Sequence, residues 1–350
     1  MIPSGGTMSW LKRLMLSGTV VAVAACSSAA TPATTPEPTP VFSEAPSSTP
    51  TAVPTQAGPA GPALPTLAPN QSGTVLAWGD DSSAQTDVPA GLGGVVSVAA
   101  GDEFSLALKS DGTVVGWGSN NSGETDIPAG LAAVKQISAG TAFGVALLVD
   151  GTVAAWGDNT SSETTIPAAA TNLIQVAAGG THVLGLKADG TVVAWGSDDN
   201  GETDVPKGLA NVVQVSAGYD FSLALLKDGS VVGWGDNNPT DGAPSMVAIP
   251  SGLRNVVAIS AGYYHSLALE ADGTVIAWGM DDSGQIDIPS GTKALAVAAG
   301  GNFSVAITST GTVVVWGSND SGQATIPGGP AGVIAIDAGG SHVLAVVASK

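Results

Sequence analysis

From residue 73 onward the chain is written in short apolar runs separated by glycine, asparagine and aspartate. Residues 134 to 167 show the pattern in full. Val134-Lys135-Gln136-Ile137-Ser138 predicts a strand ended by Ala139-Gly140, and Phe143 to Val149 predicts a second, closed by the hairpin signal Asp150-Gly151. Thr152-Val153-Ala154-Ala155-Trp156 predicts a third. Gly157-Asp158-Asn159 turns the chain, and Thr164-Thr165-Ile166-Pro167 reads as a short fourth strand that proline terminates. The runs are β-branched and apolar on both faces, as in sheets covered on both sides, and no stretch carries a useful helical period.

This unit recurs. Trp78, Trp117, Trp156, Trp195, Trp234, Trp278 and Trp316 are each followed by glycine and preceded, five positions back, by glycine. Successive tryptophans lie about 39 residues apart, a period that marks solenoids, propellers or arrays. The repeats open on Gly73 to Trp78, a third strand lacking its first two, and close on Val333 to Ile336 and His342 to Val347, a first and second strand lacking the rest. Joining these halves removes two open sheet edges, which favours a ring over a linear stack that would need polar caps. The expected fold is all-β: a seven-bladed β-propeller of four-stranded antiparallel blades over residues 71–350, closed by pairing of the N- and C-terminal half-blades.

The first seventy residues differ in kind. Lys12 and Arg13 precede a mostly apolar run from Leu14 to Ala25 that is too short to span a membrane, and Val23-Ala24-Ala25-Cys26 ends it with small residues before the chain's only cysteine. This resembles the lipobox of bacterial lipoproteins, so residues 1–25 are expected to be a signal peptide and Cys26 the lipidated anchor; Met8 is an alternative start. Residues 26–70 are Ser, Thr, Pro and Ala almost throughout, a composition expected to form a disordered, semi-stiff tether. The expected location is extracytoplasmic, attached to a membrane through lipid alone.

Charge narrows the partners. Acids outnumber bases 29 to 10, and only 11% of residues are charged. A phosphate backbone is repelled by such a field, so nucleic acid is not an expected partner. One cysteine rules out an internal disulfide framework.

The pattern A-G-x-x-[FH]-[SVG]-x-[AG]-[LVI], followed by [DT]-G-[TS]-V-x-x-W-G, resembles the repeat of the regulator of chromosome condensation family over about residues 71 to 350. The variant W-G-x-[DN]-x-S-G-[EQ]-x-x-[IV]-P, clearest after Trp117, Trp278 and Trp316, is similar to a secreted bacterial branch that includes a seven-bladed β-lactamase inhibitor. The resemblance implies a propeller; a propeller is a scaffold for many tasks. Nucleotide exchange on a nuclear GTPase, known for the founding member, suits neither an export signal nor this acidity.

Most residues with chemical potential read as framework. The tryptophans recur at one position and are expected to be packing anchors between blades. His182, His265 and His342 occupy a position where other units have Phe104, Phe143, Phe221 and Phe303, so they are expected to pack, each satisfied by a local hydrogen bond. Pairs such as Asp80-Asp81, Asn120-Asn121, Asp198-Asp199 and Asp281-Asp282 suit tight turns better than calcium. No nucleophile elbow, H-E-x-x-H or phosphate loop is present, so no catalytic residue, metal or cofactor is expected.

Departures from the repeat carry the functional signal. The only tyrosines, Tyr219, Tyr263 and Tyr264, fall in the loop between first and second strands of two consecutive units. Between those units lies the one sizeable insertion, within Asn237 to Val247. Loops after first and third strands project from the same end, so an exposed binding face is expected from Tyr219, Asp220, Tyr263 and Tyr264 with Asn237, Asn238, Thr240 and Asp241. The reading is a recognition module for a protein or glycan; the alternatives are inhibition of an extracytoplasmic enzyme such as a β-lactamase or penicillin-binding protein, and a carboxylate-based hydrolase or lyase.

Overall fold

The computed structural model describes residues 71–236 and 245–349. All of them lie in the unit Ala57–Lys350. The expected signal peptide with Cys26, the expected tether through residue 70, and Asn237, Asn238, Thr240 and Asp241 lie outside the described residues.

Regular structure is β throughout the described residues. After β1 (Gly73–Gly79) the chain repeats a three-strand unit: β2 (Val95–Ala100), β3 (Phe104–Lys109) and β4 (Val114–Gly118); β5 (Val134–Ala139), β6 (Phe143–Leu148) and β7 (Val153–Gly157); β8 (Leu173–Ala178), β9 (His182–Lys187) and β10 (Val192–Gly196). The series continues with β11 (Val212–Ala217), β12 (Phe221–Leu226) and β13 (Val231–Gly235); β14 (Val256–Ala261), β15 (His265–Glu270) and β16 (Val275–Gly279); β17 (Ala294–Ala299), β18 (Phe303–Thr308) and β19 (Val313–Gly317). It ends on β20 (Val333–Ala338) and β21 (His342–Ala348). Each unit is an antiparallel meander, and β21 continues into β1, with Gly73 opposite Ala348 through Gly79 opposite His342.

Blades therefore have three strands, not the four expected. Thr164 to Pro167 forms turns instead of a strand, because local acceptors take its backbone donors: Thr164 N donates to Asn159 Oδ1 at 3.0 Å and Thr165 N to Ser162 O at 3.1 Å. Pro167 has no N–H to give. The same bonds recur after Trp117, where Thr125 N donates to Asn120 Oδ1 and Asp126 N to Gly123 O.

Middle strands are buried on both faces, with Phe104, Phe143, Phe221 and Phe303 essentially free of solvent. First strands present an unpaired edge to the next unit, and side chains cover it. The Gln136, Gln175 and Gln214 amides each both donate to and accept from one backbone residue of the following first strand, namely Val176, Val215 and Ile259. Two residues on, Ser138, Ser216 and Ser260 accept the amides of Ala178, Ala261 and Ala299, and Asp337 accepts that of Ala100.

The tryptophans couple neighbouring units as expected. Each indole is buried, and its N–H donates to a carbonyl in the preceding unit's Trp-Gly loop: Trp117 to Gln85 at 2.9 Å, Trp156 to Glu124 at 2.8 Å and Trp195 to Glu163 at 2.9 Å. The glycine after each tryptophan is obligatory. Gly118 has φ 100°, and a Cβ there would sit 2.7 Å from Glu103 O and 2.8 Å from Phe104 Cα.

Candidate functional site

The loops joining first to second strands meet around a common opening. Their second residues, each after an opening glycine, are Asp102, Thr141, Gly180, Tyr219, Tyr263, Gly301 and Gly340. Backbone bonds run from loop to loop: Asp102 N to Thr141 O, Thr141 N to Gly180 O, Gly180 N to Gly218 O, Tyr263 N to Gly300 O, Gly301 N to Gly339 O and Gly340 N to Gly101 O. Among the described residues this bond is missing between the loops of β11–β12 and β14–β15. That junction is where the tyrosines gather.

Their rings form one cluster. Tyr219 lies 5.1 Å from Tyr263 and 5.8 Å from Tyr264 between ring centroids, and Tyr263 and Tyr264 meet edge to face at 6.3 Å. These separations fall within the favourable range for aromatic pairs. The three are thus brought together as expected, but they are half-buried rather than exposed. The physical reason is that each ring shields the next, and Tyr263 also reaches a loop of a distant unit, donating to Asp102 Oδ1 at 2.7 Å. A Cβ on Gly340 would fall against that same carboxylate oxygen and 3.0 Å from the Tyr263 hydroxyl, so a glycine keeps the contact open.

Asp220 sits at the edge of the cluster, and its carboxyl is pushed up to about 6, first by burial and then by Glu202, Asp236 and Asp199. Tyr264 is raised by burial, by Tyr219 and by the Asp220 and Asp236 charges. Tyr263 is raised above the ordinary tyrosine range by burial and by Asp102. The aromatic cluster therefore lies in a negative field.

Beneath the loops, the ends of all seven first strands line a cavity of about 150 Å³. Ser138, Ser216, Ser260 and Asp337 contribute its polar groups on the strand side, and Asp102, Thr141, Tyr219 and Tyr263 lie on the loop side. Burial raises the Asp337 carboxyl to about 6, although part of the residue's surface remains open to the cavity. Sequence reasoning passed over both Asp102 and Asp337. A signal for Asp337 exists, since it stands where the other units carry Ala99, Ser138, Ala177, Ser216, Ser260 and Ala298.

The histidines pack, but their hydrogen bonds are made between units, not locally. His182 Nε2 meets Ser222 Oγ at 3.0 Å, His265 meets Ser304 at 2.8 Å and His342 meets Ser105 at 3.0 Å. Each serine donates its own proton to a backbone carbonyl of the preceding Trp-Gly loop, as Ser222 does to Glu202 O, so the hydrogen-bond network assigns the proton on Nε2 to the histidine as donor. Among the described residues, no group of three or more His, Cys, Asp or Glu side chains is placed to hold a metal ion. The acidic and amide pairs act in turns: Asp198 Oδ1 accepts Thr203 N and Asp281 Oδ1 accepts Ile286 N.

The regulator of chromosome condensation (RCC1) repeat matches residues 95–124, 134–163, 173–202, 212–239, 256–285 and 295–323, just over half of the chain. Each match covers one three-strand unit, and five of the six run on to a buried glutamate or glutamine of the following turn. No curated protein sequence matches the chain. Among solved structures, Prp20p from Saccharomyces cerevisiae, described with its binding properties to Gsp1p and histones, is similar with a TM-score of 0.68 and 22% identity, over 81% of this chain and 93% of that one. Yeast RCC1 (Prp20) bound to Kap60 is similar with a TM-score of 0.66 and 21% identity, over 81% and 91%. Human WBSCR16 follows at 0.61 and 20%, over 79% and 98%. At these identities the likeness is one of fold, a propeller. With its repeat matched six times over, the chain belongs to the regulator of chromosome condensation (RCC1) repeat family.

Proposed function

We propose that this protein is a non-enzymatic recognition module, a closed seven-bladed propeller that docks a protein partner on the loop face carrying Tyr219, Tyr263 and Tyr264. The observation that carries the reading is the clustering of the chain's only three tyrosines at one junction of that face. Half-buried, mutually packed tyrosines offer contact area with little rotamer freedom left to lose. The β1–β21 pairing and the Gly340–Gly101 backbone bond support a ring that closes on itself. Protein partners in the descriptions of Prp20 structures support protein binding as the general mode.

The same proposal places the propeller outside the cytoplasm on a lipidated Cys26, carried by the tether of residues 26–70, within the secreted bacterial branch of the family. Its support is the charged, apolar and small-residue order of Lys12 through Cys26. Inhibition of a β-lactamase stays the lesser reading, because tyrosines occupy only two of the seven loops.

Affinity capture from the native cell surface tests the docking face. The Tyr219→Ala/Tyr264→Ala double variant, which leaves the Tyr263–Asp102 bond in place, is expected to weaken capture by about 2 kcal/mol or more. Capture equal to that of the unaltered chain overturns the reading. Cys26→Ser is expected to release the protein from the membrane fraction, and persistent attachment overturns the anchor.

A further inference from the structure

The cavity beneath the tyrosine loops contains a charge that the fold does not need. At the junctions entered from Ser138, Ser216 and Ser260, a neutral hydroxyl accepts the amide of the next first strand at 2.9, 3.0 and 3.0 Å. At the junction between β20 and β2, Asp337 Oδ2 accepts the Ala100 amide at 2.9 Å. A serine would make that link as it does three times elsewhere, so the carboxylate brings a negative charge beyond the structural requirement.

Nothing inside the cavity neutralises it. No lysine, arginine or histidine lines the space. Among the described residues the ion pairs are Lys109–Asp111 and Lys293–Asp272, both on turns away from the lining. The second acid of the lining, Asp102, adds to the negative potential. A buried carboxylate without a counter-charge is costly, and a cation that enters the space relieves that cost. Burial raises the Asp337 carboxyl to about 6, against the backbone amides of Ala100 and Ala338 that favour its charged form.

We propose that this cavity is a binding site for a small alkylammonium ion, with Asp337 as its counter-charge and Ser138, Ser216 and Ser260 as its hydrogen-bonding wall. The serine oxygens and the carboxylate suit the donors of an ammonium head. Tyr219 and Tyr263 on the loop side supply aromatic surface, which favours a cation further. About 150 Å³ accommodates several waters or a ligand of a few heavy atoms and excludes a folded peptide. With only two acids in the lining, a monovalent organic cation fits better than a divalent metal. The Tyr263–Asp102 hydrogen bond lies on the loop side of the space. The site shares Tyr219 and Tyr263 with the proposed docking face, but it is argued from Asp337 and the serine wall and does not rest on that reading.

Titration calorimetry of the full chain with methylammonium chloride, against sodium acetate at matched ionic strength and neutral pH, tests the site. Saturable methylammonium binding is expected, with no saturable response to acetate. Asp337→Ser retains the acceptor for Ala100 and is expected to weaken methylammonium binding about tenfold or more, at a melting temperature no lower than that of the unaltered chain. Should the serine variant fold poorly, Asp337→Asn gives the same comparison. Absence of saturable methylammonium binding to the unaltered chain, or equal affinity in a folded Asp337 variant, overturns the proposal.

Discussion

The hydroxyl of Tyr263 donates to Asp102 Oδ1 at 2.7 Å, joining two loops 161 residues apart in the chain. Gly340 makes room for the bond, since a Cβ there would occupy the carboxylate's place. Tyr263→Phe removes the donor and is expected to destabilise the fold by about 1 kcal/mol, the low end for a bond to a charged group because the site is only half-buried. Gly340→Ala is expected to break the same bond by displacing Asp102. A double-mutant cycle in urea should therefore show the two changes falling short of additivity. Fully additive effects would show that the hydroxyl and the glycine serve separate purposes.

The indole bonds allow a finer comparison between units. Gln85 O accepts both Trp117 Nε1 at 2.9 Å and Ser105 Oγ at 2.7 Å, so Trp117→Phe leaves that carbonyl one partner. Glu124 O accepts Trp156 Nε1 at 2.8 Å, and the serine position in that unit is Gly144, so Trp156→Phe leaves the buried carbonyl without a side-chain donor. Both substitutions remove similar volume. Trp156→Phe is expected to cost about 1 kcal/mol more than Trp117→Phe in chemical denaturation. Equal costs would mean that packing alone, not the indole N–H, couples the units.

The repeat made the fold legible. Seven tryptophans with flanking glycines state the same local rule seven times, and the first three strands fall within a residue or two of where the pattern sets them. The fourth strand is not legible because Thr164-Thr165-Ile166 has strand composition, while the fate of its amides depends on Asn159 and Ser162, which look like ordinary turn residues. The site was only half legible. Tyr219, Tyr263 and Tyr264 stand out by rarity, yet their burial depends on Asp102 and Gly340, contributed by units far along the chain. Such contacts leave no periodic trace. The histidine bonds do leave one: each of His182, His265 and His342 is followed, one unit on, by a serine, Ser222, Ser304 and Ser105 in turn.

Those histidines set the response to acid. Burial lowers each to about 4 from 6.5, so the unfolded chain binds their protons first. Their contribution to stability is complete above about pH 6.5 and is lost as pH falls toward 4, on the order of 3 kcal/mol each. Asp337 and Asp220 act in the opposite sense. Both are raised to about 6 and strengthen the fold as pH falls from 6 toward 3.8, Asp337 by about 3 kcal/mol and the half-exposed Asp220 by about 1. The histidines prevail, and a net loss on the order of 5 kcal/mol is expected between pH 6.5 and 4. His182→Phe/His265→Phe/His342→Phe installs the residue of the other four units and leaves each serine its backbone acceptor. In urea titrations this triple variant should become more stable, not less, from pH 6 to 4; an unaltered acid profile would assign the sensitivity to other groups.

Closure of the ring is open to a direct assay. Residues of β21 from Val343 to Val346 are fully buried, in part by their pairing with Val75 through Trp78 and by the packing of Trp78, whose indole donates to Gln323 O at 2.8 Å. Deleting the chain through Gly79 would uncover that strand, orphan the Gln323 carbonyl and leave an apolar edge able to pair with another chain. The truncated protein is expected to lose its cooperative thermal transition and to associate in light scattering as concentration rises. A synthetic peptide of residues 73 to 79 supplied in excess should restore part of the transition, because the edge it fills is already shaped by β20 and β21. A truncated chain that stays monomeric and melts at the original temperature would show that β1 contributes nothing to holding the two ends together, and the ring would have to be given up.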